Sequence, residues 1–282
     1  MNITPGTLRA ALLLLAMAGV FTLIGSMFGA VGAATALACA IIVGFWSFWS
    51  SGPAAVAATG ARELTVEKDR NLLDMVSSLS ARAGVPMPRV FEIDEKQPNA
   101  MAVGANPSCA SLVLTKGIRR LLTKDELAAL IGHEIGHIKS RDTLAAAIGA
   151  TFLDAILTLS LLFAFLGLAT RREGGGLFLI LAILTPVTAI ILLLAASRSR
   201  EYAADKYGAE LTGDPRAMAA ALRKLAAAPA ILNKAALHSP AMASLWFVDP
   251  LAGTWLSHLF STHPDISKRI ARLERLQPRK TT

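Results

Sequence analysis

Residues 122–142 read LTKDELAALIGHEIGHIKSRD, a stretch that carries the signals of a single well-bounded helix. Thr123 followed three residues later by Glu126 is the pattern of a capping box at a helix start. Leucine and isoleucine then recur with helical period up to position 131, and polar residues follow position 138. The sequence therefore predicts an amphipathic helix that begins near Thr123 and ends in polar surface.

The last third of this helix contains HEIGH at residues 133–137, a match to the pattern H-E-x-x-H. His133 and His137 lie one turn apart on one face, so both imidazoles can bind one metal ion while Glu134 lies beside a water on that ion. The alternative is that both histidines are solvated helix residues. The position of the motif in a capped amphipathic helix favours the metal site, which needs a third ligand from elsewhere in the chain.

Long apolar runs flank this helix on both sides. The chain is 54% apolar and only 17% charged, with a mean hydropathy of +0.51, whereas a soluble domain is about a quarter charged. This composition disfavours a cytosolic enzyme, and the 6% of aromatic residues disfavours a β-barrel. Four runs match the roughly 20 residues that a membrane-spanning helix needs, at about 10–28, 31–49, 144–169 and 177–196.

The short connections within each pair of runs predict two helical hairpins, and hence a mainly α integral membrane protein with four transmembrane helices. We expect the hairpins at 1–50 and 144–196, and we expect the polar segments 51–143 and 197–282 to form one domain outside the membrane. An alternative reading of the first run as a cleaved signal peptide is disfavoured, because a second apolar run follows it directly.

The polar segments contain further helices and a few short strands. Residues 62–83 show helical spacing, and β-prone stretches at 89–94, 100–104 and 111–115 predict a small sheet. After the fourth run we expect helices over 199–211, from Asp214 to about Ala228, and from Ile266 onward. Residues 230–262 lack a clear pattern and are expected on the membrane surface or beside a cleft.

Most of the positive charge lies in the two polar segments. The net charge is +8, and of the 28 basic residues 12 lie in 51–143 and 13 in 197–282. The positive-inside rule therefore predicts that both segments are cytoplasmic, although Arg171 and Arg172 at the tip of the second hairpin argue mildly against this. No basic stripe with interleaved aromatic residues is present, so we expect no nucleic-acid partner.

Two cysteines and one aspartate are interpreted as residues without a catalytic role. Cys39 lies in an apolar run and Cys109 in a polar loop, so no disulfide between them is expected. Asp154 lies within the third run, where a charge is costly, and should face protein or water. A polar packing role for Asp154 is favoured over a catalytic role.

The best candidate for the third ligand is Glu201 in SREYAAD, residues 199–205. Glu201 and Asp205 are four residues apart on one helix face, which suits one carboxylate on the metal and the other on the free N–H of a ligand imidazole. Two predicted crossings separate His137 from Glu201, so both return to the same side of the membrane. Each lies about 10 Å of helix from a predicted span, which predicts a centre near the bilayer surface.

Two imidazoles and one carboxylate leave a zinc ion an open position for water, which Glu134 can deprotonate, and this is the chemistry of peptide hydrolysis. The charge that develops on the substrate oxygen needs a second donor. His263, in STHPDISKRI, is a candidate for that catalytic role. His238 and His258 lie in no recognisable pattern, and ordinary surface roles are favoured for them.

Several motifs in order resemble the bacterial HtpX-type membrane zinc metalloproteases. Their gluzincin-type family also contains the CAAX prenyl protease of the Ste-twenty-four type. Besides the HEIGH helix and the two hairpins, the matching pieces are RAGVPMPRVFEID at 82–94, QPNAMAVGANP at 97–107, SREYAADKYGAELTGDP at 199–215 and THPDISKRI at 262–270. The resemblance spans nearly the whole chain, and it implies a cytoplasmic gluzincin-type zinc protease domain with a small β-sheet. The predicted presence of only four spans favours the HtpX branch.

The resemblance also implies roles for individual residues. It implies one Zn²⁺ per chain bound by His133, His137 and Glu201, with Glu134 as general base and Asp205 holding a ligand. His263 or Arg269 would bind the substrate or stabilise its reacting form.

In such proteases the segment that corresponds to QPNAMA lies beside the cleft. Asn99, Ala100, Met101 and Ala102 would therefore offer a strand edge to an extended substrate. Met101 stands where the family usually has an aromatic residue, which puts the local packing in question.

The function implied is cleavage of misfolded or damaged membrane proteins from the cytoplasmic side of the bacterial inner membrane, as part of quality control and the stress response. Protein substrates, the lipid bilayer and another membrane protease are the implied partners. The alternatives are a dedicated maturation protease of the CAAX type and a non-catalytic membrane zinc scaffold or sensor. Glu134 between the two histidines argues against the scaffold.

Overall fold

The computed structural model describes residues 4–169, 175–228 and 265–276, and this part of the chain is mainly helical. Its helices, in chain order, are α1 (Pro5–Ser26), α2 (Gly29–Thr59), α3 (Val66–Ala83), α4 (Lys116–Leu121), α5 (Lys124–Ser140), α6 (Asp142–Ala169), α7 (Gly175–Thr212), α8 (Pro215–Ala227) and α9 (Ile266–Glu274). Its strands are β1 (Arg62–Glu63), β2 (Arg89–Ile93), β3 (Ala100–Val103) and β4 (Ser111–Thr115).

Three helices in the described residues are long and apolar enough to cross a membrane. They are Pro5–Ser26, the part of α2 from Gly29 to Trp46, and the part of α6 from Asp142 to Phe165. These correspond to the first three predicted spans. The fourth helix, α7, starts with the apolar stretch Gly175–Leu184, but the side chains of residues 185–199 lie outside the description, so the fourth span stays a prediction.

The helices extend beyond the predicted boundaries. Helix α2 continues past residue 50 to Thr59, because Pro53 does not interrupt it, and it ends at Gly60 with a φ of 64°. Helix α6 begins at Asp142, separated from α5 only by Arg141, whose left-handed φ of 57° caps α5. Helix α7 runs without a break from the fourth apolar run through Glu201. Helices α2 and α7 therefore each connect an apolar stretch to the polar part of the chain without a break.

The sheet has the strand order β1-β2-β4-β3. Strands β2 and β4 are parallel, whereas β3 pairs with β4 and β1 pairs with β2 in antiparallel fashion. The three predicted strands are present. The prediction of helix from residue 62 was wrong at its start, because the backbone N–H of Leu64 bonds to the carbonyl of Val90 and holds Arg62–Glu63 in the sheet as β1.

The main core lies between the sheet and the helices α3, α5, α8 and the end of α7. Leu112 and Leu114 of β4 pack there with Leu130 and Ile131 of α5, all of them fully buried. Leu273 of α9 joins the same cluster. This core packs against α5. The face of α5 that carries the two histidines lies toward α7.

A glycine pair brings α5 and α7 into close contact. A Cβ at Gly208 would lie 2.7 Å from the backbone nitrogen of His133, and a Cβ at Gly132 would lie 3.2 Å from Cα of Gly208. The absence of side chains at both positions lets the two backbones approach, which brings Glu201 of α7 to the histidines of α5.

Both cysteines are free thiols at exposed positions, Cys39 on α2 and Cys109 in the short 3₁₀ turn before β4. Asp154 lies on an exposed face of α6, and its backbone carbonyl accepts a hydrogen bond of 2.9 Å from Oγ1 of Thr158. The packing role for the side chain of Asp154 stays a prediction.

Candidate metal centre

Helix α5 presents the HEIGH motif in a fixed orientation because both of its ends are capped. At its start the backbone N–H of Thr123 donates to Oε2 of Glu126 at 2.8 Å, and the backbone N–H of Glu126 donates to Oγ1 of Thr123 at 3.4 Å. At its end Arg141 closes the helix through bonds to the carbonyls of His137 and Ile138. The predicted capping box is therefore formed.

Two imidazoles and one carboxylate meet between α5 and α7. The Nε2 atoms of His133 and His137 lie 3.0 Å apart. The carboxylate oxygens of Glu201 lie 3.8 Å from Nε2 of His133 and 3.4 Å from Nε2 of His137. One ligand atom from each of the three residues lies within 4.8 Å of the other two.

These separations fit a small divalent cation. Ligand atoms about 2.1 Å from a tetrahedral centre lie about 3.4 Å from one another. The distances of 3.0, 3.4 and 3.8 Å between the three groups scatter around that value. The donor set of two imidazole nitrogens and one carboxylate oxygen suits such an ion, and three protein ligands leave a position open for water or substrate.

Asp205 lies behind the first of these ligands. Its Oδ1 is 3.0 Å from Nδ1 of His133, as expected for a carboxylate that orients the imidazole. Arg269 of α9 donates to both oxygens of Asp205, each at 2.7 Å, and its Nη1 lies 3.3 Å from Oε2 of Glu201. The Arg269 side chain is 1% exposed, and these contacts place it behind the carboxylates of α7.

A second carboxylate that the sequence reasoning missed lies behind the other histidine. Oδ2 of Asp142 is 3.3 Å from Nδ1 of His137, and Oδ1 of Asp142 accepts a hydrogen bond of 3.0 Å from Arg9. Asp142 follows the helix directly in the sequence, but we interpreted it only as part of the polar helix end. Arg141 ends α5 in a left-handed conformation, and the side chain of the following Asp142 lies beside His137 in the last turn of α5.

The protonation of the two histidines differs. Burial lowers the pKa of His133 to about 4, despite its contact with Asp205. Burial also lowers the pKa of His137, but hydrogen bonds to Asp142 and Glu201 outweigh that effect and raise it to about 10. Burial therefore favours the neutral form of His133, whereas the neighbouring carboxylates favour the cationic form of His137 when no metal is bound. A bound cation takes the place of the added proton of that form.

The partners of Asp205, the carboxylate behind His133, lower its pKa. Burial raises the pKa of Asp205, but Arg269 and His133 outweigh it, and the pKa of Asp205 lies below its ordinary value. Glu134 is 3% exposed, and its charge helps to raise the pKa of both His137 and Arg269. The centre thus combines four carboxylates, those of Glu134, Asp142, Glu201 and Asp205, with two imidazoles and one guanidinium in a buried setting.

The segment predicted to contact substrate forms an edge of the sheet. Strand β3 is the last strand in the order and pairs with β4. Asn99 and Ala100 are fully buried, and Ala102 packs against Ile138 of α5. The Met101 side chain is also fully buried and packs in a cluster with Phe91 and Val113. The methionine is therefore accommodated in the core beside α2.

Some predicted positions lie outside the described residues. His263, the candidate second donor, is one of them, as are His238, His258, the hairpin tip with Arg171 and Arg172, and the segment 230–262. For these the sequence-based expectations stand as predictions.

Comparison with known proteins gives one result for the family and two for individual relatives. Residues 67–277 match the model of peptidase family M48. Over 278 residues the chain is 42% identical to the protease HtpX homolog of Acidiphilium cryptum (strain JF-5), a match that covers 96% of this chain and 97% of that protein. The crystal structure of S. mikatae Ste24p is similar at a TM-score of 0.48 and 23% identity, over 78% of this chain and 55% of that one. The chain therefore belongs to peptidase family M48, whose members are metal-dependent proteases.

Proposed function

We propose that this metalloprotease is an integral-membrane zinc endopeptidase in which His133, His137 and Glu201 bind the metal and Glu134 is the general base. The observation that carries the proposal is the convergence of these ligand groups, with one atom from each within 4.8 Å of the others. Glu134 lies on the same turn of α5 as His133 and is buried beside them. This is the arrangement that peptide hydrolysis requires.

Each residue of the proposed centre has its own role in the reaction. When bound, zinc is a Lewis acid that acidifies water and polarises the peptide carbonyl. The Glu134 carboxylate accepts the proton of the attacking water and can pass it to the leaving amine. Asp205 holds His133 by Nδ1, which leaves Nε2 of the ring to face Glu201 and His137. Arg269 contacts both Glu201 and Asp205 and so holds the two carboxylates in place.

The substrate is proposed to bind as an added strand at β3. In an antiparallel pair alternate residues point their backbone groups toward the partner. The N–H of Thr115 donates to the carbonyl of Asn99, so Met101 and Val103 also face β4, and Ala102 points its backbone groups away. Backbone pairing at Asn99–Ala102 holds a peptide irrespective of its side chains, which suits a protease of broad specificity.

The centre is proposed to lie at the cytoplasmic surface of a bacterial inner membrane, with all four apolar runs crossing it. The candidate span in α6 begins at Asp142, five residues after His137. The hairpins at 1–50 and 144–196 and the polar segments 51–143 and 197–282 form the membrane and protease parts. We infer that the substrates are misfolded or damaged membrane proteins, cleaved near the bilayer under stress and alongside other membrane proteases.

The central test is the variant Glu134→Gln in the detergent-purified full chain. We expect zinc content to be retained and cleavage of casein to be lost, because the amide cannot accept a proton. Glu210→Gln is the matched control, since Glu210 is an exposed residue of α7 that forms an ion pair with Lys206 one turn earlier. Unchanged cleavage by Glu134→Gln would refute the proposal. A wild-type protein that binds zinc and cleaves no casein, with a cellular function that Glu134→Gln keeps and His133→Ala abolishes, would favour a zinc scaffold.

Orientation can be tested with the two natural cysteines. Cys109 is exposed in the polar domain, so the variant Cys39→Ser leaves one thiol to report its compartment. We expect a membrane-impermeant maleimide to label it in inverted vesicles and not in intact spheroplasts, with Cys109→Ser as the unlabelled control. Labelling in spheroplasts would contradict a cytoplasmic active site.

Substrate range separates quality control from a dedicated maturation role. Comparison of membrane proteomes with wild-type and Glu134→Gln protein should show many accumulated membrane proteins in the second. Accumulation of one unprocessed precursor would instead favour a maturation protease of the CAAX type.

A further inference from the structure

Asp142 lies at the meeting point of three helices. It is the first residue of α6 and follows the left-handed Arg141 that ends α5. Its Oδ2 faces Nδ1 of His137 at 3.3 Å, and its side chain is 7% exposed. From α1, Nη1 of Arg9 donates a hydrogen bond of 3.0 Å to its Oδ1. One carboxylate therefore contacts both a proposed metal ligand and the first membrane helix.

The contact with Asp142 favours the tautomer of His137 that has its proton on Nδ1. When the Nδ1–H of the ring donates to Oδ2, the Nε2 atom keeps its lone pair. That Nε2 faces Nε2 of His133 at 3.0 Å and Oε1 of Glu201 at 3.4 Å. Asp142 thus has the same relation to His137 that Asp205 has to His133.

The start of α1 is held against the junction of α5 and α6 by direct backbone contact. A Cβ at Gly6 would overlap the carbonyl groups of Ser140 and Arg141. One turn later Ala10 packs with Leu144 in a buried cluster. Arg9 therefore approaches Asp142 from a helix whose position is fixed next to the centre.

A second arginine completes the surroundings of Asp142. Nη1 of Arg200 lies 3.5 Å from the backbone carbonyl of Asp142. Burial lowers the pKa of Arg200 and Arg9 adds to this shift, while Asp142 and Glu201 oppose it. Asp142 is thus contacted by arginines from both α1 and α7, which hold its side chain and its backbone carbonyl next to the centre.

We propose that Asp142 is a positioning residue for His137 and that Arg9 holds Asp142, so that the first membrane helix takes part in forming the metal centre. Arg9 lies outside residues 67–277, which match the peptidase family model. The inference rests on the proposed function only in requiring that the centre binds a metal. It predicts that metal affinity depends on Arg9 of α1 through its hydrogen bond to Asp142.

The test measures zinc affinity of the detergent-purified full chain by competition with a chromogenic chelator. Asp142→Asn should weaken zinc binding about 10- to 100-fold, the usual cost of losing a carboxylate behind a ligand histidine. Arg9→Gln should weaken it about 3- to 10-fold, as expected for one charge-assisted hydrogen bond. Arg9→Lys should restore part of the loss, because Arg9 donates to Oδ1 through a single nitrogen.

A double variant separates this link from a general effect on the fold. If Arg9 acts through Asp142, Arg9→Gln should change zinc affinity less than about twofold in the Asp142→Asn background. The exposed Arg70 of α3 provides the control, since Arg70→Gln should leave affinity unchanged. The visible spectrum of the cobalt-substituted protein should shift in Asp142→Asn and Arg9→Gln, and not in Arg70→Gln.

Either of two results would overturn the proposal. One is unchanged zinc affinity and cobalt spectrum in Arg9→Gln. The other is an equal loss of affinity from Arg9→Gln in the wild-type and Asp142→Asn backgrounds, which would mean that α1 supports the fold without acting on His137. Wild-type protein that binds no divalent metal would instead refute the proposed function together with this link.

Discussion

Arg269 donates two parallel hydrogen bonds of 2.7 Å to the carboxylate of Asp205, and neither side chain is more than 4% exposed. A bidentate pair of this kind is a strong and directional contact. Since Asp205 in turn faces Nδ1 of His133 at 3.0 Å, α9 is connected through one carboxylate to a proposed metal ligand. The end of the chain thereby contributes to a centre formed mainly by α5 and α7.

Replacement of Arg269 should therefore act on the metal. In Arg269→Gln the carboxylates of Asp205 and Glu201 lose their buried counter-charge, and we expect zinc affinity to fall about 10- to 100-fold. Arg269→Lys should rescue little, because an ammonium group cannot reproduce the planar two-bond contact. Zinc competition and casein cleavage measured at saturating zinc give the two readouts.

The same experiment tests the alternative role of Arg269 in substrate binding. A substrate-binding residue would raise KM at saturating zinc and leave zinc affinity unchanged. Arg272 lies on α9 like Arg269, and it stacks over the ring of Tyr202 of α7. It therefore offers an arginine control of equal charge. Arg272→Gln should affect neither zinc affinity nor KM.

A methyl group at Gly208 should separate the two helices that carry the ligands. The added Cβ would lie 2.7 Å from the backbone nitrogen of His133 and 2.8 Å from the carbonyl of Ala129, and backbone atoms cannot move aside independently. We expect Gly208→Ala to lower the free energy of unfolding by about 1–3 kcal/mol, as overpacking does, and to weaken zinc binding. Thermal unfolding with and without zinc is the measurement.

The control for this change lies in the same helix. A Cβ at Gly176 meets no atom of the described residues within 4 Å. Gly176→Ala should therefore leave zinc affinity unchanged. If both variants behaved alike, close packing between α5 and α7 would not determine the geometry of the centre.

The proposed substrate edge can be tested by removing one backbone donor. Ala102→Pro deletes the N–H that points away from β4, a position where an edge strand tolerates proline. We expect KM for an unfolded substrate to rise about 3- to 10-fold, the effect of one or two hydrogen bonds, with zinc affinity unchanged. Ala102→Gly keeps the N–H and should leave KM near the wild-type value. Equal KM in all three proteins would exclude β-strand addition at this edge.

Stability in acid should depend on Glu126. Burial raises its pKa, but Lys224 and the backbone of Thr123 outweigh this, and the pKa of Glu126 lies below its ordinary value of 4.5. A lowered pKa in the folded state means that its ionised form stabilises the fold above pH 4.5, and that this contribution is lost as the pH falls through the folded-state value.

The matching variant is Glu126→Gln, which keeps a capping acceptor and removes the charge. Its free energy of unfolding should lie below that of the wild type by less than about 1 kcal/mol at neutral pH, and the difference should vanish toward pH 3. Metal-free protein is used, so that the ligands do not contribute. A difference that grows in acid would contradict the assigned shift.

Much of the centre was predictable because helical spacing fixes side-chain direction. The four-residue spacing within HEIGH, and again between Glu201 and Asp205, places each pair on one helix face, whatever the rest of the fold. The capping box at Thr123 was also local, and it formed as predicted. The three predicted strands are separated by turn residues, and β2 and β4 also contain β-branched residues.

Other features depend on contacts that spacing does not encode. Asp142 contacts His137 because Arg141 ends α5 in a left-handed conformation. Arg9 contacts Asp142 although the two residues are 133 positions apart in sequence. The two residues of β1 were assigned to a helix because the apolar period continues through Leu64, whereas in the fold that leucine bonds to Val90 of β2. Such partners are set by tertiary packing, which a single sequence does not display.

The unbroken course of α7 has a mechanical consequence. This helix of 38 residues is about 57 Å long, and it begins in an apolar stretch and ends beyond Glu201 and Asp205. A stiff rod of that length cannot tilt at one end alone. If the apolar end spans a bilayer, as proposed, a change in its inclination would be transmitted along one continuous backbone to the two carboxylates.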